Sequence, residues 1–106
     1  MSIKRVWHGW TTKENADKYQ DILMNDVLPG IEAKEISGYR KIEVLKTEHE
    51  HEVEFVTIMT YDSLEDLKGL QGEDYKKCYV PNVAQKVLKR WDKEAEHYDL
   101  IDTRNY

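Results

Sequence analysis

The sequence predicts a ferredoxin-like α+β domain, a βαββαβ chain whose single antiparallel sheet carries its helices on one face. Three observations predict it. Strand-like and helix-like segments follow in the order β-α-β-β-α-β, with one extra helical segment before the last strand. The 106 residues fit one domain, 1–106, without linker, repeat or low-complexity tract. The first and third strands are apolar on both faces, although helices can cover only one.

Ile3 to Trp10 reads as the first strand, rich in residues that suit a pleated surface. Val6, His8 and Trp10 share one face, and Ile3, Arg5, Trp7 and Gly9 share the other. Thr11-Thr12-Lys13-Glu14 has the form of a capping box, with Thr11 as N-cap and Glu14 reaching back. Ala16, Tyr19, Leu23, Val27 and Ile31 then form an amphipathic stripe. The helix is expected from about Lys13 to Leu28, where Pro29-Gly30 disturbs it. Gly38 opens the second strand, "GYRKIEVLKT", with Ile42 and Val44 on one face and Tyr39 and Leu45 together on a face. "EHEHE" is the turn. Val53 to Tyr61 is the third strand, with Phe55, Thr57, Met59 and Tyr61 on one face and Val56 and Ile58 on the other.

Asp62 or Ser63 caps a second helix carrying Leu64, Leu67 and Leu70. "QGEDYKKCYVPN" is an irregular connection. Pro81 suits the start of a third short helix with Val83, Ala84, Val87, Leu88 and Trp91 as its stripe. Glu94 to Ile101 is the last strand.

Composition narrows the function. Acids outnumber bases 21 to 16, a net charge of −5, which argues against the basic face that nucleic-acid binding needs. No apolar run approaches the roughly 20 residues of a membrane span. The N-terminus lacks the apolar core of a signal peptide, so the cytoplasm is expected. The single cysteine, Cys78, leaves no internal disulfide and agrees with a reducing compartment. No phosphate-binding glycine loop is present. The uncovered apolar sheet face predicts a homodimer that packs bare sheet against bare sheet.

The stretches "WHGWTTKENADKY", "VLPGI", "GYRKIEVL", "EVEFVTIMTYDSLEDLKGLQGEDY", "VP" and "EHYDL" carry a resemblance that runs from Val6 to about Ile101. In them the chain resembles the antibiotic biosynthesis monooxygenase-like proteins of the dimeric α/β-barrel superfamily. The resemblance implies two ferredoxin-like subunits joined sheet to sheet into an α/β barrel. Each would hold a pocket between sheet and helices, roofed by the loop after the second helix. Some members of that superfamily oxidise a small phenol- or quinol-type aromatic molecule with O2 and no cofactor, which is the activity the resemblance leads one to expect here; others degrade haem, and still others are decarbonylases, isomerases or proteins of unknown role. The haem-degrading branch combines an Asn on the first strand with a Trp and a His in the helical region. Here the first strand offers His8 and Trp10, and Leu64 to Cys78 holds neither Trp nor His. The Asn, Trp and Arg set of the quinol oxidases does not map onto this chain. A non-enzymatic dimer that binds a small molecule, or has a structural role, is the alternative reading, and enzyme or not stays open at this level.

His97 and His8 are the expected catalytic residues. An imidazole titrates near neutral pH and can take a proton from a phenol, and the last strand should neighbour the first. Trp10, Met59, Tyr75 and Tyr79 are the expected substrate-binding residues, shaping and drying the cavity. Plainer readings stand beside these: Trp7 and Trp10 as core plugs, the histidines as hydrogen-bonded structural groups, and the tyrosines as staples of their loop. Cys78 has only Lys76 and Lys77 nearby to activate it and is expected to be inert. His49 and His51, among Glu48, Glu50 and Glu52, are two histidines in a turn, so no metal is expected.

Overall fold

The computed structural model describes residues 2–106 apart from the side chains of Leu70 and Gln71, so Leu70 of the expected helical stripe lies outside the described residues. The elements are β1 (Ile3–Thr11), α1 (Ala16–Ile22), a π-helical segment (Leu23–Val27), α2 (Leu28–Glu32), β2 (Tyr39–Glu48), β3 (Val53–Tyr61), α3 (Leu64–Gln71), α4 (Asn82–Gln85), β4 (Arg90–Trp91) and β5 (Glu96–Asp99). The sheet runs β2-β3-β1, and both β4 and β5 pair with the far edge of β1. Every pairing is antiparallel, which is the ferredoxin-like arrangement.

Register assigns the faces. Arg5, Trp7 and Gly9 of β1 lie beside Met59, Thr57 and Phe55 of β3, and Met59 and Thr57 lie beside Ile42 and Val44 of β2. Against this face the helices bury Tyr19, Leu23 and Leu28, and Val80, Ala84, Val87 and Leu88 close the core. Tyr19 meets Phe55 edge-on at 4.9 Å. The opposite face carries Val6, His8, Trp10, Val56 and Ile58.

Several local expectations are corrected. The capping box does not form: Thr11 is fully buried at the end of β1, its hydroxyl without a partner among the described residues. Thr12 accepts instead, from the Asn15 amide at 3.2 Å, and the helix begins at Ala16. Nor does Pro29-Gly30 end the helix, which continues to Glu32. A proline clashes with the carbonyl four residues back, and the π segment just before Pro29 opens that turn. It also shifts the stripe by one residue, so that Leu28 rather than Val27 is buried.

In β2 a bulge between Tyr39 and Lys41 inserts one residue, so Tyr39 and Leu45 fall on opposite faces. Tyr39 stacks on Tyr61 at 5.2 Å, while Arg40 turns out to Asp62. The third helix is only Asn82–Gln85, and Trp91 belongs to β4. The last strand is broken into β4 and β5, because residues 93–95 leave the edge of β1 to meet residues 76–78: the Cys78 amide donates to the Lys93 carbonyl and the Ala95 amide to the Lys76 carbonyl.

Gly38 adopts φ +78°, and a Cβ there would collide with the Asp66 carboxylate. Ser63 caps α3, its hydroxyl accepting from the Asp66 amide at 3.2 Å. Gly38→Ala is therefore expected to cost about 1–3 kcal/mol, from a conformation L residues avoid plus the clash. Ser63→Ala should cost about 1 kcal/mol. Urea denaturation checks both, and an unchanged midpoint for Gly38→Ala would contradict the close approach.

Candidate functional site

The first strand alternates faces, and its inward residues build a cavity floor. The Trp7 indole lies across Gly9, where a Cβ would come within 2.5 Å of the ring and 3.2 Å of Leu88. Glycine at that position is thus what lets the ring lie flat. The indole N–H donates to the Asp92 carbonyl at 3.0 Å.

Arg5, two residues earlier, is 5% exposed. Its Nη1 donates to the Tyr75 carbonyl at 2.5 Å and lies 3.0 Å from His97 Nε2. Its Nη2 donates to the Lys77 carbonyl at 3.2 Å and to Cys78 Sγ at 3.6 Å. The strand break makes this possible, since the pairing of residues 76–78 with residues 93–95 turns those two carbonyls toward β1. An arginine has no lone pair to offer, so His97 must accept through Nε2 and carry its proton on Nδ1. Burial, then Arg5 and Lys76, pull the His97 pKa below its usual value, which keeps the ring neutral.

Above this floor lies a cavity of about 480 Å³. Arg5, Trp7, Thr57 and Met59 line it from the sheet. Leu23, Val27, Leu28 and Ile31 form the helical wall, and Cys78, Tyr79, Val80 and Pro81 form the third side. Burial pushes the Cys78 thiol pKa up, ahead of the opposing effect of Arg5, so the thiol stays protonated.

Met59 and Tyr79 line the cavity, although Tyr79 is 85% exposed at its rim. Tyr75 is set behind Arg5, its ring edge-on to His97 at 5.2 Å. His97 lies on the cavity side of the sheet as the register partner of Arg5, but its acceptor nitrogen is taken up by that arginine. His8 and Trp10 are on the opposite face, so His8 and His97 do not meet. The reason is parity: each is an odd number of residues from Arg5 or Trp7 along β1. His8 Nδ1 is 2.8 Å from Asp92 Oδ2, which also accepts the His8 amide at 3.0 Å. Trp10 is covered by the Arg90 guanidinium at 4.3 Å. His49 pairs with Glu54 at 2.7 Å rather than with His51. Among the described residues no three His, Cys, Asp or Glu side chains are grouped to hold a metal ion, and no helix is long and apolar enough to cross a membrane.

Arg5 is the residue that sequence reasoning passed over. Its signal was present: the one charge among the inward residues Ile3, Arg5, Trp7 and Gly9.

No family model matches the sequence, and no curated protein matches it. Solved structures do. A Bacillus cereus protein provisionally named an antibiotic biosynthesis monooxygenase superposes with a TM-score of 0.71 at 9% identity, covering 100% of this chain and 97% of its own. Rv0793 from Mycobacterium tuberculosis gives 0.64 at 13% identity, covering 99% and 100%. A Chloroflexus aurantiacus protein, also provisionally named an antibiotic biosynthesis monooxygenase, gives 0.60 at 14% identity, covering 99% and 98%. This chain has the fold of the antibiotic biosynthesis monooxygenase-like proteins. At these identities the likeness concerns the fold, and the chemistry rests on this chain's own residues.

The neutral His97 has a consequence for stability. An unfolded histidine titrates near 6.5 and the folded one lower. As pH falls through about 6.5 the unfolded chain takes up a proton that the native chain refuses, so stability is full above that pH and declines below it. His97→Gln keeps an acceptor for Arg5 but cannot titrate. The thermal midpoint of the wild type should drop more between pH 7.5 and pH 5 than that of the variant, and equal drops would assign the acid sensitivity to other groups.

Proposed function

We propose that this chain is a monooxygenase-type protein that binds a small planar aromatic molecule of the phenol or quinol kind in the cavity over Arg5, Trp7 and Met59, and oxidises it with O2 without a cofactor. The observation that carries the reading is the cavity itself: largely apolar, walled by helix and sheet, and floored by a flat indole beside one charged group. Its volume, about 480 Å³, falls in the range of small-molecule sites. A phenol and one O2 would give a quinone and one water, with all atoms accounted for. An apolar pocket suits that chemistry because it keeps bulk water from the oxidised ring.

Neither histidine expected to remove a proton has that role in this proposal. His8 is across the sheet, and His97 has no free acceptor nitrogen while Arg5 holds Nε2. A phenol entering as its conjugate base needs neither. The non-enzymatic alternative keeps the same pocket and differs only in turnover.

The working unit in this proposal is a homodimer joined through the open sheet face, where Val6, Val56 and Ile58 are only half-buried and Leu45 is 48% exposed. A second copy would cover that face.

Oxygen-electrode assays across a panel of phenols and hydroquinones, with quinone absorbance as second readout, test the activity. Turnover is expected in the wild type, with loss by about tenfold or more in Thr57→Phe, which fills the cavity while the fold is retained. Ligand binding without oxygen uptake would leave the non-enzymatic reading. Light scattering tests assembly: the wild type should run as a dimer, and Val56→Glu, placing a charge on the shared face, should run as a monomer.

A further inference from the structure

We infer that the ligand of this cavity is an anion, a planar aromatic molecule whose ionised oxygen group, phenolate, enolate or carboxylate, pairs with the Arg5 guanidinium. The inference rests on the reading of the cavity as a small-molecule site and adds the charge class of what it takes.

Arg5 is 5% exposed and lines the cavity. Buried guanidinium groups ordinarily face a carboxylate, because an unpaired buried charge is costly. Here every partner is uncharged: two carbonyls, a neutral imidazole and a protonated thiol. These orient the fork without cancelling its charge, and none of them takes the Nε–H. Among the described residues no carboxylate contributes to holding its proton; burial works against the charge, and the opposing influences come from Cys78 and Tyr61.

The other charges of the cavity do not change the balance. Asp26 and Lys34 both line it, both are exposed, and they are opposite in sign. The interior therefore presents one positive charge in an apolar setting, where attraction to an anion is far stronger than in water. With both Nη groups committed, the Nε–H is the donor left for an oxyanion, one charge-assisted hydrogen bond. His97 is a positioning residue here. It fixes Nη1 and, being neutral, leaves the charge for the ligand.

Calorimetric titration of 2-naphthoate and 2-naphthamide at pH 7.5 tests this, since the two probes share a ring system and differ in charge. The wild type should bind the acid about tenfold or more tightly than the amide, the worth of one charge-assisted hydrogen bond. Arg5→Met should abolish that preference while amide affinity stays within about threefold of wild type. Should the methionine variant fail to fold, Arg5→Lys, which keeps the charge without the fork, should show a reduced preference. Lys34→Ala should retain the wild-type preference. Equal binding of acid and amide by the wild type would overturn the inference while leaving the pocket reading in place. So would a preference that survives unchanged in the Arg5 variants or disappears in Lys34→Ala. Binding of neither probe would overturn the inference together with the small-molecule reading beneath it.

Discussion

A guanidinium inside a domain of 106 residues must be hydrogen-bonded, and the way Arg5 is satisfied organises the second half of the chain. Its two terminal nitrogens draw in the carbonyls of Tyr75 and Lys77 and the ring of His97. Those contacts bring an irregular segment against the first strand that has few apolar residues of its own. The same segment needs a backbone partner, and residues 93–95 supply it by leaving the sheet edge. The broken last strand, the cavity rim at Tyr79 and Pro81, and the orientation of His97 all meet where one inward-facing charge finds its acceptors.

The two faces of β1 are held by different physics. Inward, the strand is fixed by packing: a tryptophan laid over a glycine, beside Leu88 and the core that contains Phe55. Outward, it is dressed in charge. The Trp10 ring lies beneath Arg90, which is bidentate to Glu52, and Glu52 is held near a pKa of about 2, chiefly by the hydrogen bonds of Arg90. His8 leans on Asp92 and His49 on Glu54. These polar contacts gather at one end of the sheet. Val6, Val56 and Ile58 occupy the outward face beyond them, with Glu96 beside Val6 and Glu43 beside Ile58 in the register.

Much of the fold was legible because periodicity survives tertiary context. The third strand was read with its observed limits, Val53–Tyr61, and the inward and outward sets of β1 follow from parity alone. What could not be read was each place where a single residue slips the count. The Tyr39–Lys41 bulge flips one aromatic to the other face, and the π segment moves burial from Val27 to Leu28 and carries the helix past a proline. The site suffered in the same way. Parity placed His8 and Trp10 together correctly, but which face the helices cover is a property of the whole chain, not of the strand. Chemical type then drew attention to histidines and away from an arginine whose importance lies in the absence of an acidic neighbour. That kind of absence is invisible until the fold brings the surroundings together.

The helical wall gives the cavity an unequal stiffness. Two of its sides are the sheet and a segment tied by hydrogen bonds to residues 93–95 and to the Arg5 side chain. The third is a helix whose middle, Leu23–Val27, bonds five residues apart, and π turns of this kind are where helices bend. Under the proposed binding role, guests of different thickness would be accommodated there by bending of the helix, with the guanidinium held in place opposite. Selectivity for charge and tolerance of shape would then be divided between opposite walls of one small chamber.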